Sequence, residues 1–234
     1  MPSLITDYHK PLETDPHIYA TPILQQGIVV GTGIDTLEDP LFIKLTLLEL
    51  TLGCGYVVFE ELIPANIDTA EALCIEAHDN GLDAFEVYNY IKHKLLLRSG
   101  KRFGQIFFGI NPPLEGPQIS GAYVEEEYRQ YGISTLAYSL LAKHYGVVYS
   151  DRHQTIYGAK LWYAGLPKFG VVRAIDTHAG NKIIETFVMD SSPKHEHWDN
   201  LKLKNEPLLL GKVRVPTSDT ESKDHIVLEF QLKD

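Results

Sequence analysis

The sequence predicts a mixed α/β fold, and three observations carry that expectation. Short runs rich in β-branched and aromatic residues, such as Phe103 to Ile110 and Ile119 to Val124, are bounded by glycine and proline. Between such runs lie stretches whose apolar residues fall three and four apart, the spacing of one helical face. From Ile119 to Tyr149 these signals occur in the order strand, turn, helix, strand.

Taken in order, the chain opens with four prolines and no sustained period between Met1 and Pro22, which predicts an extended arm over residues 1–22. Ile23 to Gly31 and Gly55 to Phe59 read as strands, the second running into the Glu60-Glu61 pair. Between them Leu41, Leu45, Leu48 and Leu52 predict an amphipathic helix that stops at Gly53. Asp68 is placed to cap a helix through Cys74 to His78, and Asn80-Gly81 breaks it. A second helix starts near Asp83, with Tyr88, Ile91 and Leu95 on one face, and ends near Ser99-Gly100.

Phe103 to Ile110 and Ile119 to Val124, joined by a proline-rich turn, are expected as an antiparallel pair. Ile133, Leu136, Ala137, Leu140 and Leu141 then form a helical face ended by Gly146, before the short strand Val147 to Tyr149. A helix from about Gln154 to Gly165 aligns Ala159, Trp162, Tyr163 and Leu166, and Phe169 to Ile175 returns as a strand. Leu208 to Val215 and Ile226 to Leu232 are expected as a C-terminal β-hairpin around the polar loop Pro216 to Asp224. The organisation is therefore an N-terminal arm at 1–22, a main domain at 23–190 and a C-terminal β extension at 191–234.

Composition narrows the function. Lys and Arg number 21 against 31 Asp and Glu, a formal net charge of -10, so nucleic acid is a poor partner because its phosphates need neutralising cations. A basic substrate or a neutral small molecule fits better. Two cysteines, Cys54 and Cys74, are too few for a disulfide framework or a four-thiolate zinc site, although they leave one disulfide open. They suit a reducing compartment. The first residues lack a basic region before an apolar stretch, and Lys44 and Glu49 interrupt the most apolar span, so a cytoplasmic protein without a membrane anchor is expected. No phosphate loop ending in Gly-Lys-Ser/Thr, no Gly-x-Ser-x-Gly elbow and no His-Glu-x-x-His occurs, which removes the usual signatures of nucleotide hydrolysis, serine hydrolysis and zinc proteolysis.

The chemistry concentrates in Val124-Glu125-Glu126-Glu127-Tyr128-Arg129-Gln130-Tyr131-Gly132-Ile133-Ser134, which lies between a predicted strand and a predicted helix. There successive backbone N–H groups and the helix dipole favour an anion such as a pyrophosphate. Gly132 admits a left-handed conformation or a close backbone approach, and a small Ser134 leaves the first helical turn open. A turn glycine before a helix is the plain structural reading of the same residue.

With Arg129, Gly132 and Ser134 in its slots, the segment resembles the signature of the GNAT N-acyltransferase superfamily: Arg or Gln, two variable residues, Gly, one variable residue, then Gly or Ala. Ser134 departs mildly from it. Val124 and Tyr128-Arg129 resemble the family's lead-in, and Ala159, Tyr163 and Leu166 its downstream spacing, although Pro167-Lys168 intervene before Phe169-Gly170. The resemblance covers about Phe103 to Val172. Ser150 to Gln154 with Leu161-Trp162 also looks like a stretch of some phage-encoded GNAT-like proteins, which would put the chain in a host cytoplasm.

The resemblance implies a GNAT-like mixed twisted sheet flanked by helices. It implies transfer of an acyl group, most simply acetyl, from acetyl-CoA as co-substrate to an amine. Val124, Arg129, Gln130, Tyr131, Gly132, Ile133, Ser134 and Thr135 would hold the co-substrate, mainly through backbone groups, and Tyr163 would protonate the leaving thiolate. Tyr157 and Trp162 compete with Tyr163 for that place, and a core aromatic is the plain reading of Tyr163. Glu125, Asp151 or His153 could take the amine's proton. Ser150-Asp151 is otherwise expected to cap the following helix, Glu125 to Glu127 to form a solvated turn, and His195-Glu196-His197 to lie in a solvated loop without metal. The rival reading is a catalytically inactive protein of the same fold, serving as a phage or viral structural, assembly or host-inhibiting protein. The C-terminal extension would then meet a protein partner or a second copy.

Overall fold

A computed structural model describes residues 3–5, 20–31, 40–50, 53–189, 191, 194–201, 217–218, 221–223 and 225–233. The chain is α/β: its described strands form a mixed sheet of nine and a smaller sheet of four, with four α-helices. Two compact units divide it, one comprising Met1–Pro11, Phe107–Ala122 and Thr135–Asp234, the other Leu12–Ile106 and Tyr123–Ser134. No described helix is long and apolar enough to cross a membrane.

The chain begins with β1 (Ser3–Ile5), which belongs to the first unit, and then enters the second unit through β2 (Thr21–Val30), β3 (Leu41–Glu49) and β4 (Cys54–Pro64). These three strands run antiparallel, β2 to β3 from Thr21 opposite Glu49 to Val30 opposite Leu41, and β3 to β4 from Phe42 opposite Leu62 to Glu49 opposite Gly55. The helix expected from the leucine spacing at 41–52 is therefore a strand. Phe42 packs with the helices, while Ile43, Leu45 and Leu47, on the opposite face, are also buried, so both faces demand apolar residues. A nearly continuous apolar run places leucines at helical intervals by composition alone, and periodicity cannot separate the two. Lys44 and Glu60, opposite one another and 2.7 Å apart, fix the register where an apolar run would leave it loose.

Helices α1 (Ile67–Asp79) and α2 (Ala84–Lys92) cover one face of these strands through Ala70, Cys74, Ala77, Val87 and Ile91. The cap of α1 is Asn66, whose side chain accepts the Thr69 N–H at 2.9 Å, and the expected cap Asp68 lies inside the first turn. Asp83 caps α2 in a reciprocal box with Glu86. Cys54 and Cys74 are not joined in a disulfide, and burial, helped by Glu71, pushes the Cys74 thiol up to about 12.

Strands β5 (Leu97–Ile110) and β6 (Pro117–Val124) each contribute residues to both units. In the first unit β6 leads, by way of the loop after it, to α3 (Ile133–Tyr145) and β7 (Val148–Tyr149), with Gly146 left-handed at φ 85° between helix and strand. β6 and β7 are parallel and register Gln118 with Tyr149. There follow β8 (His153–Thr155), α4 (Ile156–Lys160), a π-helical turn Leu161–Gly165, a 3-10 turn Leu166–Lys168, and β9 (Gly170–Asp176). The remaining strands are β10 (Lys182–Phe187), β11 (Trp198–Asp199), β12 (Thr217–Ser218) and β13 (Ile226–Leu232).

In this unit the large sheet runs β10-β9-β13-β7-β6. The last strand, expected at the end of an appended hairpin, lies inside the sheet: β13 pairs antiparallel with β9 from Ile226 opposite Asp176 to Leu232 opposite Gly170, and with β7 on its other side. Its expected hairpin partner, 208–215, lies outside the described residues. Alternation puts Leu228 and Phe230 in the core and leaves Glu229 and Gln231 half-buried, which a sheet residue's period of two produces without tertiary information. The small sheet runs β12-β11-β1-β8, all parallel, so the chain's first strand joins two elements that lie 150 and more residues downstream.

Candidate functional site

Past Val124 the backbone leaves β6 and winds through a 3-10 stretch, Glu126–Tyr131, to Gly132. Gly132 is left-handed at φ 68°, and a Cβ placed on it would meet nothing within 4 Å. That conformation costs an L side chain about 1–2 kcal/mol, which explains glycine at the junction of the 3-10 stretch and α3. The Arg129 Nε–H donates to the Val124 carbonyl at 2.8 Å and so ties the turn to the strand end. Tyr128 stacks on Phe103 with ring centroids 4.0 Å apart, and the Glu125 N–H donates to the Phe103 carbonyl at 2.8 Å. Gln130 contributes its backbone to the 3-10 stretch. Val124 and Ile133 are buried, Tyr131 and Ser134 half-buried, and the first turn of α3 contains no acidic side chain.

Of the acids expected in a solvated turn, Glu126 and Glu127 are exposed and Glu125 is half-buried. Lys101 contacts Glu125 directly and Glu127 at 3.3 Å, and the hydrogen bond to Glu125 is the main reason its ammonium is pushed up to about 12.

Tyr163 lies in the π-helical turn and is half-buried. Its competitors separate from it physically: Trp162 is 2 % exposed and edge-on to Tyr138, while Tyr157 is 77 % exposed. Burial, with a smaller contribution from Asp151, holds the Tyr138 phenol far above its ordinary range. Thr135 and the π turn are neighbours within one unit, because a methyl group on Gly165 would lie 3.9 Å from Thr135 Oγ1.

Ser150 and Asp151 do not cap α4. The side chain of Thr155 does, accepting the Gly158 N–H at 3.1 Å. Ser150 instead substitutes for a strand residue: its N–H donates to the Leu228 carbonyl at 2.8 Å and its Oγ accepts the Leu228 N–H at 3.0 Å. Asp151 is half-buried and its Oδ1 accepts the His153 N–H at 3.3 Å, with His153 exposed in β8.

The segment His195-Glu196-His197 is no solvated loop at its third residue. His197 is 1 % exposed, with Nε2 2.7 Å from Glu185 Oε2, and the same carboxylate accepts the N–H groups of Lys194 and His195. Among the described residues no three His, Cys, Asp or Glu side chains gather to hold a metal. Trp198, which sequence reasoning did not single out, is fully buried; its indole N–H donates to Gln154 Oε1 at 3.0 Å, and its ring meets Tyr163 edge-on with centroids 6.3 Å apart. No local pattern marks Trp198, since Gln154 of β8 and Tyr163 of the π turn lie more than 30 residues earlier and Phe187, which stacks on it, lies in β10.

Comparison of the chain with known protein families, with curated proteins and with solved structures finds no match.

Proposed function

We propose that this chain is an acyl-CoA-dependent N-acyltransferase that passes an acyl group, most simply acetyl, to an amine. The observation that carries the reading is Gly132, left-handed at the entrance to α3 and facing open space among the described residues. A helix start carries N–H groups without intrahelical acceptors, and with no acidic side chain in the first turn of α3 that end suits a pyrophosphate. Backbone groups from Arg129 to Thr135 hold it, and Val124 lies along the pantetheine. The parallel connection of β6 to β7 through α3 supports the same assignment.

In the transfer, the amine nitrogen attacks the thioester carbonyl, the C–N bond forms and the C–S bond breaks. Tyr163 gives its phenolic proton to the departing thiolate as general acid. The proton lost by nitrogen goes to a carboxylate. Asp151, which belongs to the same unit as Tyr163, is assigned that step ahead of Glu125.

A catalytically inactive protein of this fold, acting in phage or viral assembly or against a host protein, is the second reading. It is favoured by the same loop: Arg129 is spent on a backbone carbonyl and Glu125 on Lys101.

Calorimetric titration with acetyl-CoA and desulfo-CoA tests the proposal, using the wild type, Gly132→Asn and Gly132→Asp. Both replacements tolerate the left-handed region and they differ by one charge. Asn should keep binding, whereas Asp should weaken it by about tenfold, or 1.4 kcal/mol, with part of the loss recovered in high salt. A wild type that binds neither ligand would sink the acyltransferase reading and leave the interaction protein.

A further inference from the structure

We infer that Trp198, locked by Gln154, is the residue that positions Tyr163. The inference deepens the acyltransferase reading and rests on it for what Tyr163 does, but not for how Tyr163 is held. Tyr163 is carried by a π-helical turn, a wide and intrinsically poor helical geometry that persists only where its surroundings hold it. The only ring contact recorded for the Tyr163 phenol among the described residues is Trp198, edge-on at an interplanar angle of 73°. An edge-on pair has a directional preference, so a fixed indole fixes the plane of the phenol.

The indole itself is fixed from three sides. Its N–H donates to Gln154 Oε1 at 3.0 Å, which also settles the orientation of that amide, since the reversed amide would set donor against donor. The preceding residue, His197, is held by Glu185. The backbone after it belongs to the small sheet, where β1 sits between the two partners, registering Ser3 with Asp199 on one side and Leu4 with Gln154 on the other. The chain's first strand thus brings the donor and the acceptor of the lock together. All these groups lie in one unit.

The inference makes Trp198 and Gln154 positioning residues: a loosened lock lets the phenol leave the line of the departing sulfur without removing it. Two variants separate this from simple packing. Gln154→Met keeps length and burial but removes the acceptor, and Trp198→Phe keeps an aromatic ring but removes the donor. With ring-labelled tyrosine, the Tyr163 NMR resonance should shift and broaden in both, and the other tyrosine resonances should stay in place. With acetyl-CoA and a reactive amine, kcat should fall by about tenfold, with KM for acetyl-CoA within twofold, while Tyr163→Phe removes most of the Tyr163-dependent rate and makes Gln154→Met silent in that background. A Tyr163 resonance unchanged in folded Gln154→Met overturns the inference. The resonance answers whether or not the wild type turns over, so a protein inactive with every amine defeats the acyltransferase reading while the spectrum still decides how Tyr163 is held.

Discussion

Replacing Ser150 by alanine should destabilise the protein far more than one exposed-hydroxyl deletion would. Ser150 and Leu228 are both 0 % exposed and exchange two hydrogen bonds, of 2.8 Å and 3.0 Å, the second of which uses the hydroxyl in place of a backbone carbonyl. Alanine leaves the Leu228 N–H buried with its acceptor gone. An orphaned buried donor costs about 1–3 kcal/mol, whereas an ordinary solvent-satisfied bond costs nearer 1. For a chain of this size about 2 kcal/mol lowers Tm by roughly 4–8 °C. Thermal and urea unfolding of Ser150→Ala measure the loss, and hydrogen exchange locates it, because the Leu228 amide should exchange faster than its neighbours on β13. A fall of less than about 1 °C, with the Leu228 amide as protected as in the wild type, would refute the argument that the serine hydroxyl completes the ladder.

Two further predictions concern the contact of His197 with Glu185 and the packing of β2. Burial opposes ionisation of Glu185, but the N–H groups of Lys194 and His195, with His197, outweigh it and hold its carboxyl below the usual range; burial likewise holds the His197 imidazole below its ordinary value, against the pull of Glu185. A depressed imidazole makes folding less favourable as pH falls below about 6.5, and a depressed carboxyl contributes stability that is lost as pH falls through its folded value, below about 4.3. Both slopes have the same sign, so urea midpoints should drop as pH falls below about 6.5 and again below about 4.3, and His197→Gln should flatten the upper drop; a flat wild-type profile below about pH 6.5 contradicts the His197–Glu185 contact. In the second unit a Cβ at Gly27 would sit 2.0 Å from Tyr88 Cζ, so Gly27→Ala should cost about 1–3 kcal/mol by displacing the ring, and the cost should shrink in a Tyr88→Ala background. Equal costs in both backgrounds would mean that the ring does not seat on the glycine.

The strand-like runs that end in glycine or proline were legible because their signals are local. Phe103 to Ile110 and Ile119 to Val124 lie within observed strands, Ile23 to Gly31 overruns its strand by the final glycine, and of the expected face of α3 Ile133, Ala137, Leu140 and Leu141 are buried and Leu136 is half-buried. The segment Leu41 to Leu52 failed because burial on both faces erases the period that distinguishes a strand from a helix. Helix caps were half legible: the box at Asp83 is a local pattern, while Asn66 outcompeted Asp68 by two residues, a difference of backbone geometry that residue type does not encode.

At the candidate site the division is the same. By itself the sequence determined where the turn before α3 falls and why glycine stands there, since the left-handed conformation at Gly132 is a property of one residue and its neighbours. Only the tertiary structure decided what the remaining side chains do. Ser150 became a strand partner rather than a cap, Glu125 a partner of Lys101 and His197 the captive of Glu185; and Tyr163 is read against Trp198 and Gln154. Leu228, Lys101, Glu185 and Trp198, the direct partners of Ser150, Glu125, His197 and Tyr163, lie between 12 residues away along the chain, for Glu185, and 78, for Leu228. A side chain's role depends on who faces it after folding, and that pairing is fixed by sheet order and register, quantities that local pattern does not contain.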